Sequence, residues 1–337
     1  MEISSKKIIF VQDIYNVKLM KFKKLIDRGA ELERINEALH REDTQFIVIY
    51  GRRRIGKSEL IKCIVKAQHK AIYFLSDTSS ETVQRVAFSK VAASVIDGFD
   101  KVIYPDWETL FRSFNNQLSE RMLVCLDEFP YLVKSCDVLP SIIQKLLNEK
   151  ILKFDLILCG SSQQLMHGYV LNRQSPLYGL ANEIIKMQPI PAQYISMAIE
   201  CDAAQAVEEY AIWGGVPRYW ELRRDYPDKE TAIRKVLLDP QGPLIEEPQR
   251  LLRDDMRDTV QASTLLTIIG NGANKLSEIA TRAGKDGSTI SEPLSKLRDL
   301  GYVSREVPFG ESPKKSKKGI YHINDSLLRF HYQFIVP

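Results

Sequence analysis

The sequence predicts an α/β fold: a parallel sheet covered by helices on both faces, then a helical segment and a C-terminal winged helix. Three observations carry this expectation. Up to about Pro191, short and near-continuously apolar runs alternate with segments of helical periodicity, the mark of strands buried between two helix layers. Beyond Pro191 such runs stop and helical patterns take over. Near the end, two helical patterns joined by a glycine-bearing turn precede two β-like segments, which is a winged-helix layout.

Length and composition agree. A chain of 337 residues suits two or three domains, and 44% apolar with 27% charged residues is the balance of a soluble globular protein. No run approaches the ~18 apolar residues a membrane helix needs, so no membrane partner is expected. The N-terminal "MEISSKKIIFVQDIYNVKLM" has too short an apolar patch and no cleavage site to be a signal peptide. Cys63, Cys125, Cys136, Cys159 and Cys201 show no metal spacing, and three of them sit inside apolar runs as small hydrophobes. Together these features predict a reducing, cytoplasmic setting. His167, His322 and His331 read as packing or surface residues rather than ligands. The net charge of +4 is too small to decide for nucleic acid, so the position of the basic residues matters more.

In chain order, an arm over 1–19 leads to "KLIDRGAELERINEALH", where Leu32, Ile35 and Leu39 mark a helix. A strand, "QFIVIY", runs directly into "GRRRIGKSEL", and a helix follows with Leu60, Ile61, Ile64 and Val65 on one face. This satisfies G-x-x-x-x-G-K-[ST] with Gly51, Gly56, Lys57 and Ser58, in the strand–loop–helix setting a phosphate loop requires. Backbone N–H groups of such a loop turn onto phosphate oxygens at the positive end of the helix. The glycines let the backbone come close. Lys57 reaches the β and γ phosphates of ATP or ADP, and Ser58 ligates Mg²⁺. The binding span is Gly51, Arg52, Arg53, Arg54, Ile55, Gly56, Lys57, Ser58 and Glu59.

Downstream, "KAIYFLSD" reads as a strand, with helical patterns near 79–97 and 106–119. "RMLVCLDEFPYL" is a strand ending in Asp127 and Glu128. Asp127 is expected to hold the Mg²⁺ shell, and Glu128 to polarise the attacking water as general base. An acid at that second position points to hydrolysis. After a helix over 139–150, the strand "DLILCGSS" ends in Ser161 and Ser162. One of these senses the γ phosphate, or they act as a helix N-cap. "NEIIKMQPI" is a fifth strand. The P-loop domain therefore spans 20–195, a helical lid 196–270 and the winged helix 271–337.

In that last segment Leu276, Ile279, Ala280 and Ala283 share one helix face, and Ile290, Leu294, Leu297 and Leu300 another. Pro293 clashes with the carbonyl of Thr289 if the second helix begins at Ser288. Either the helix starts near Ser291 or its first turn is distorted. A double-stranded DNA partner is expected through Ser288, Thr289, Ser291, Lys296 and Arg298 of this helix, and Lys314, Lys315, Lys317 and Lys318 of the wing. The alternative is a winged helix serving protein contacts or covering the ATPase.

The ordered set "LIDRGAELERI", "GRRRIGKSELI", "LVCLDEFPYL", "CGSS…M", "SPLYG" and "WGGVPRYW" before a winged helix resembles the prokaryotic archaeal-type ATPases. These belong to the STAND branch of the AAA+ class and are related to origin-recognition ATPases. The resemblance implies a sheet of order 5-1-4-3-2, an ATP site at the carboxyl ends of the strands, a helical lid and a winged helix. It implies Arg28 near the nucleotide and Pro217 against the base or ribose. Arg52, Arg53 and Arg54 match the family's basic loop. Three roles stay open for them: facing lid carboxylates, facing a neighbouring subunit in a self-association, or lying solvated. Family members read "SPLYGR", whereas Leu180 follows Gly179 here. An arginine finger at that position is absent, Arg173 lies nearby in sequence, and slow hydrolysis is expected. No nuclease constellation of the P-D…(D/E)-x-K type is present. The readings that compete are an ATP-hydrolysing switch, a nucleotide-holding regulator, and a DNA binder in which nucleotide only supports the fold.

Overall fold

The computed structural model describes residues 25–256, 258–312, 316 and 318–336. The arm expected over 1–19, and Lys314, Lys315 and Lys317, lie outside them. The described chain divides into two compact units. One comprises the chain to Ile49, Gly56–Cys159 and Leu180–Ile185; the other comprises Tyr50–Ile55, Gly160–Gly179 and everything from Lys186.

The first unit is built on the strands β1 (Phe46–Tyr50), β2 (Ala71–Leu75), β3 (Met122–Asp127), β4 (Phe154–Gly160) and β5 (Glu183–Lys186). Their spatial order is β2-β3-β4-β1-β5. From the other edge this is the expected 5-1-4-3-2. The β2–β3 and β3–β4 pairs are parallel. Helix α1 (Gly29–Leu39) precedes β1, and α2 (Lys57–Ala67), α3 (Glu81–Ala92), α4 (Trp107–Gln117), α5 (Phe129–Ser135) and α6 (Leu139–Asn148) lie between successive strands. Every residue of β3 and of β4 is buried, which is why their sequences are near-continuously apolar rather than alternating. One helix layer locks through aromatics. The Phe88 ring meets Phe74, Trp107, Phe111 and Phe114 edge-on at 5.5–6.0 Å, each pair worth about 0.5–1.5 kcal/mol beyond its buried area. The Asp106 side chain caps α4 by accepting from the Thr109 N–H at 2.7 Å.

The second unit is mainly helical. Its elements include α7 (Gln163–Met166), α8 (Ala203–Trp213), α9 (Pro217–Arg224), α10 (Glu247–Asp255) and α11 (Thr259–Gly270). Asp202 and Gln205 form a reciprocal capping box at the start of α8. Then come α12 (Leu276–Ala283), α13 (Gly287–Asp299), the strands β6 (Val303–Glu306) and β7 (Ile320–Ile323), and α14 (Ser326–Phe330). The two strands are antiparallel, Val303 opposite Ile323. Ile279, Ile290, Leu294, Leu297, Tyr302 and Ile323 share one core with Leu251, Leu265 and Leu266 of α10 and α11.

Helix α13 starts at Gly287 and carries Pro293 in its interior. This differs from a start near Ser291. Ile290, Leu294 and Leu297 are all fully or almost fully buried on one face, and that burial keeps the chain helical across the proline. The Ser291 hydroxyl donates to the Gly287 carbonyl at 2.6 Å, filling one acceptor in the first turn.

Candidate nucleotide site

In the first unit, α2 begins at Gly56 with φ +96°, a conformation glycine adopts without strain. Leu60 N–H donates to the Gly56 carbonyl at 3.0 Å and starts the helix ladder. Lys57 follows, 5% exposed, and Ser58 stands in the first turn, where the positive helix end favours an anion. Glu59 is exposed and pairs with Lys62 at 3.0 Å.

The acid pair sits at the end of β3. Asp127 is wholly buried. One carboxylate oxygen accepts from the Glu128 N–H at 2.9 Å, and the other from the Tyr73 hydroxyl at 2.7 Å. Burial, then the Asp127 charge, pushes the Tyr73 phenol far above its ordinary range. From the end of β2, Ser76 donates its N–H at 3.0 Å and its hydroxyl to the Asp127 carbonyl, and its hydroxyl also reaches the Glu128 carbonyl at 2.8 Å. The Cys159 thiol at the end of β4 hydrogen-bonds Asp127 and feels Lys57 and Glu128. Burial is the first reason its pKa is raised well above the usual thiol value, and the Asp127 charge the next.

Glu128 itself has φ +54°, the left-handed region a side chain enters at a cost of about 1–2 kcal/mol. The parallel strand pairing and the Ser76 bonds hold this turn, and Glu128 becomes the residue preceding α5. The turn separates the two acids in role. Asp127 is fixed by hydrogen bonds, whereas Glu128 stands half-buried one residue on.

The three arginines of the loop belong to the second unit, and each meets a carboxylate there. Arg52 pairs with Asp325, the residue capping α14, and also donates to the Tyr219 hydroxyl at 2.9 Å. Tyr219 in turn donates to Glu247 at 2.9 Å. Arg53 pairs with Asp254 at 2.9 Å and Arg54 with Glu247 at 3.0 Å. The same loop carries buried Ile55 and Gly51, whose φ is +153° and where an added Cβ would sit 2.7 Å from the Met187 carbonyl oxygen.

Elsewhere in the second unit, Ser162 caps α7 by accepting from Leu165 N–H at 3.3 Å and donates to the Asp254 carbonyl at 3.0 Å, while Ser161 is buried beside it in sequence. Pro217 is the first residue of α9. The preceding Gly215 accepts from Ile190 N–H at 2.8 Å. Ser288, Thr289, Ser291 and Arg298 are exposed on α13, and Lys296 donates to Gln164 at 3.1 Å. Lys318 pairs with Glu311 at 2.8 Å. In the first unit Arg28, 4% exposed, precedes α1 and pairs with Glu31 at 3.1 Å. Leu180 is partly buried in the first unit, and Arg173 is exposed in the second.

Tyr73, Ser76 and Cys159 escape sequence reasoning, although a tyrosine and a serine inside and just past an apolar strand are a usable signal. The carboxylates Glu247, Asp254 and Asp325 left no local signal at all.

Residues 25–219 match the family model described as an ATPase domain predominantly from Archaea, more than half of the chain. The chain belongs to this family. A curated relative, an uncharacterized protein of Methanocaldococcus jannaschii, is 32% identical over 320 residues, covering 93% of this chain and 69% of the relative. Among solved structures, a Walker-type ATPase of Pyrococcus abyssi superimposes with a TM-score of 0.67 at 19% identity, covering 93% and 97% of the two chains. The ORC2 protein of Aeropyrum pernix, solved in ADPNP–ADP complexes, gives 0.56 at 12% identity over 92% and 93%. These last two are likenesses of fold, and family membership makes residues 25–219 an ATPase domain. No described helix is long and apolar enough to cross a membrane.

Proposed function

We propose that the chain is a Mg²⁺-dependent ATPase of the STAND branch that works as a molecular switch. The observation that carries this reading is the convergence of Lys57, Asp127 and Glu128 around one buried thiol at the strand ends of the first unit. Lys57 binds the β and γ phosphates, with the first-turn N–H groups of α2 as further donors. The oxygen donors fit a magnesium ion: Ser58 offers a hydroxyl in the first turn of α2, and Asp127 a carboxylate fixed by Tyr73 and the Glu128 N–H. When bound, Mg²⁺ neutralises charge on the phosphates. Asp127, with both oxygens already accepting hydrogen bonds, would hold the ion through water. Glu128 orients the attacking water and takes its proton at the carboxylate. Ser161 or Ser162 senses the γ phosphate, Arg28 lies near the nucleotide, and Pro217 lines the base or ribose.

In this reading the segment 196–270 is the lid, and the module 271–337 is a winged helix that engages duplex DNA or a protein partner. Two helices followed by an antiparallel hairpin support that layout. The γ phosphate supplies the differential contact that biases the switch.

A second reading, a regulator that holds nucleotide without turnover, draws on Leu180. Steady-state ATPase assays of wild type and Glu128→Gln, with and without duplex DNA, separate them. The switch reading expects wild-type turnover that DNA raises and the variant loses, by roughly 10²-fold or more, while nucleotide binding persists. Tight nucleotide binding with no turnover in either protein would establish the regulator instead.

A further inference from the structure

The Tyr73 hydroxyl reaches from β2 to the carboxylate of the site just described. Tyr73 lies opposite Cys125 in the parallel β2–β3 register, and Leu75 opposite Asp127. Tyr73, Cys125 and Asp127 therefore share one face of the sheet, each two residues from the next along its strand or its partner. Phe74 points to the other face, where it packs on Phe88. The phenol thus projects beside the Asp127 side chain rather than into the aromatic layer.

Donor and acceptor counting sets the direction of each bond. An ionised carboxylate only accepts, and a phenol has a single proton. Tyr73 therefore donates to Asp127, at 2.7 Å. That bond fixes one carboxylate oxygen while Glu128 N–H fixes the other.

We propose that Tyr73 is a positioning residue for the divalent cation: its hydroxyl orients the Asp127 carboxylate toward the ion. The inference rests on the proposed Mg²⁺·nucleotide reading of the site. Groups that orient metal ligands in this way change metal affinity by about 10- to 100-fold when removed.

The test reads cation binding rather than turnover. A fluorescent N-methylanthraniloyl-ADP is titrated into the full chain in EDTA, and the nucleotide complex is then titrated with Mg²⁺. Tyr73→Phe keeps the ring and its packing and deletes only the hydroxyl. The expected result is unchanged ADP affinity in EDTA with a half-saturating Mg²⁺ concentration raised about tenfold. The loss should be non-additive with Asp127→Asn, because Tyr73 acts through that carboxylate. Tyr73→His, which restores a ring donor, should recover part of it, and this rescue covers the case in which the phenylalanine variant folds poorly. An unchanged Mg²⁺ half-saturation in Tyr73→Phe, against a wild type that depends on Mg²⁺, overturns the positioning role alone. A wild type that binds ADP identically with and without Mg²⁺ overturns the metal site and the positioning role together.

Discussion

At Gly215 a single hydrogen atom does structural work that no other side chain can take over. A Cβ built there would lie 2.1 Å from the Ile190 carbonyl oxygen and 2.5 Å from its nitrogen, far inside contact distance. The Ile190 N–H bond to the Gly215 carbonyl, at 2.8 Å, is made across the same approach. Gly215→Ala must push the two backbones apart and lose that bond. The expected cost is about 3 kcal/mol or more in chemical denaturation, the upper range for overpacking. Gly168→Ala is the control: nothing lies within 4 Å of its added Cβ and its φ is not in the glycine region. That change should stay within about 0.5 kcal/mol. Equal losses at the two positions would show that the close approach at Gly215 is not what holds the segment. Lys57→Ala belongs to the same scale. It removes the buried ammonium group in the first turn of α2 and should abolish nucleotide binding by isothermal calorimetry, while unchanged affinity would remove the loop from the account.

At the scale of elements, helix α10 grips the arginine loop twice, through Glu247 to Arg54 and Asp254 to Arg53. The two pairs differ in solvent contact: Glu247 is 3% exposed and Asp254 28%. Removing one partner of a buried pair leaves an uncompensated charge and costs about 3–5 kcal/mol, whereas an exposed pair is worth about 0–1 kcal/mol. Glu247 also accepts from Tyr219, so Glu247→Ala should cost about 3 kcal/mol or more. Oδ2 of Asp254 is buried but its partner Arg53 is 39% exposed, so Asp254→Ala should cost less. Denaturation midpoints that fall equally for both would mean the burial difference carries no energy.

This clasp also marks where the sequence stops being legible. Strand, loop and helix around Gly56 and Lys57 could be read because the pattern is local, and the acid pair because it closes an apolar strand. The partners of Arg52, Arg53 and Arg54 could not. Glu247 and Asp325 lie far along the chain, and one carboxylate among many carries no mark of its long-range contact. Pro293 left two outcomes open, a later helix start or a distorted first turn. The helix starts at Gly287, and burial of Ile290, Leu294 and Leu297 outweighs one missing hydrogen bond.

At the scale of the whole molecule the net charge is only +4, so a general electrostatic attraction to DNA is weak and any binding must come from a few placed cations. Arg298 is exposed on α13, and Lys318 is 74% exposed although paired with Glu311. A surface pair of that kind holds its lysine by about 1 kcal/mol at most, so a phosphate can capture it. Lys296 is partly buried and already donates to Gln164. If the proposed winged helix binds duplex DNA, Arg298→Ala and Lys318→Ala should each flatten the slope of log affinity against log salt by about 0.9, one phosphate contact apiece. Lys296→Ala should flatten it less, because its ammonium group must first leave Gln164. The measurement is fluorescence anisotropy of a labelled duplex across a salt series, run in ATP and again in ADP. A switch changes the affinity between the two nucleotides while leaving the slope alone, since the same cations touch the DNA in both. An affinity indifferent to salt would assign the module to a protein partner instead.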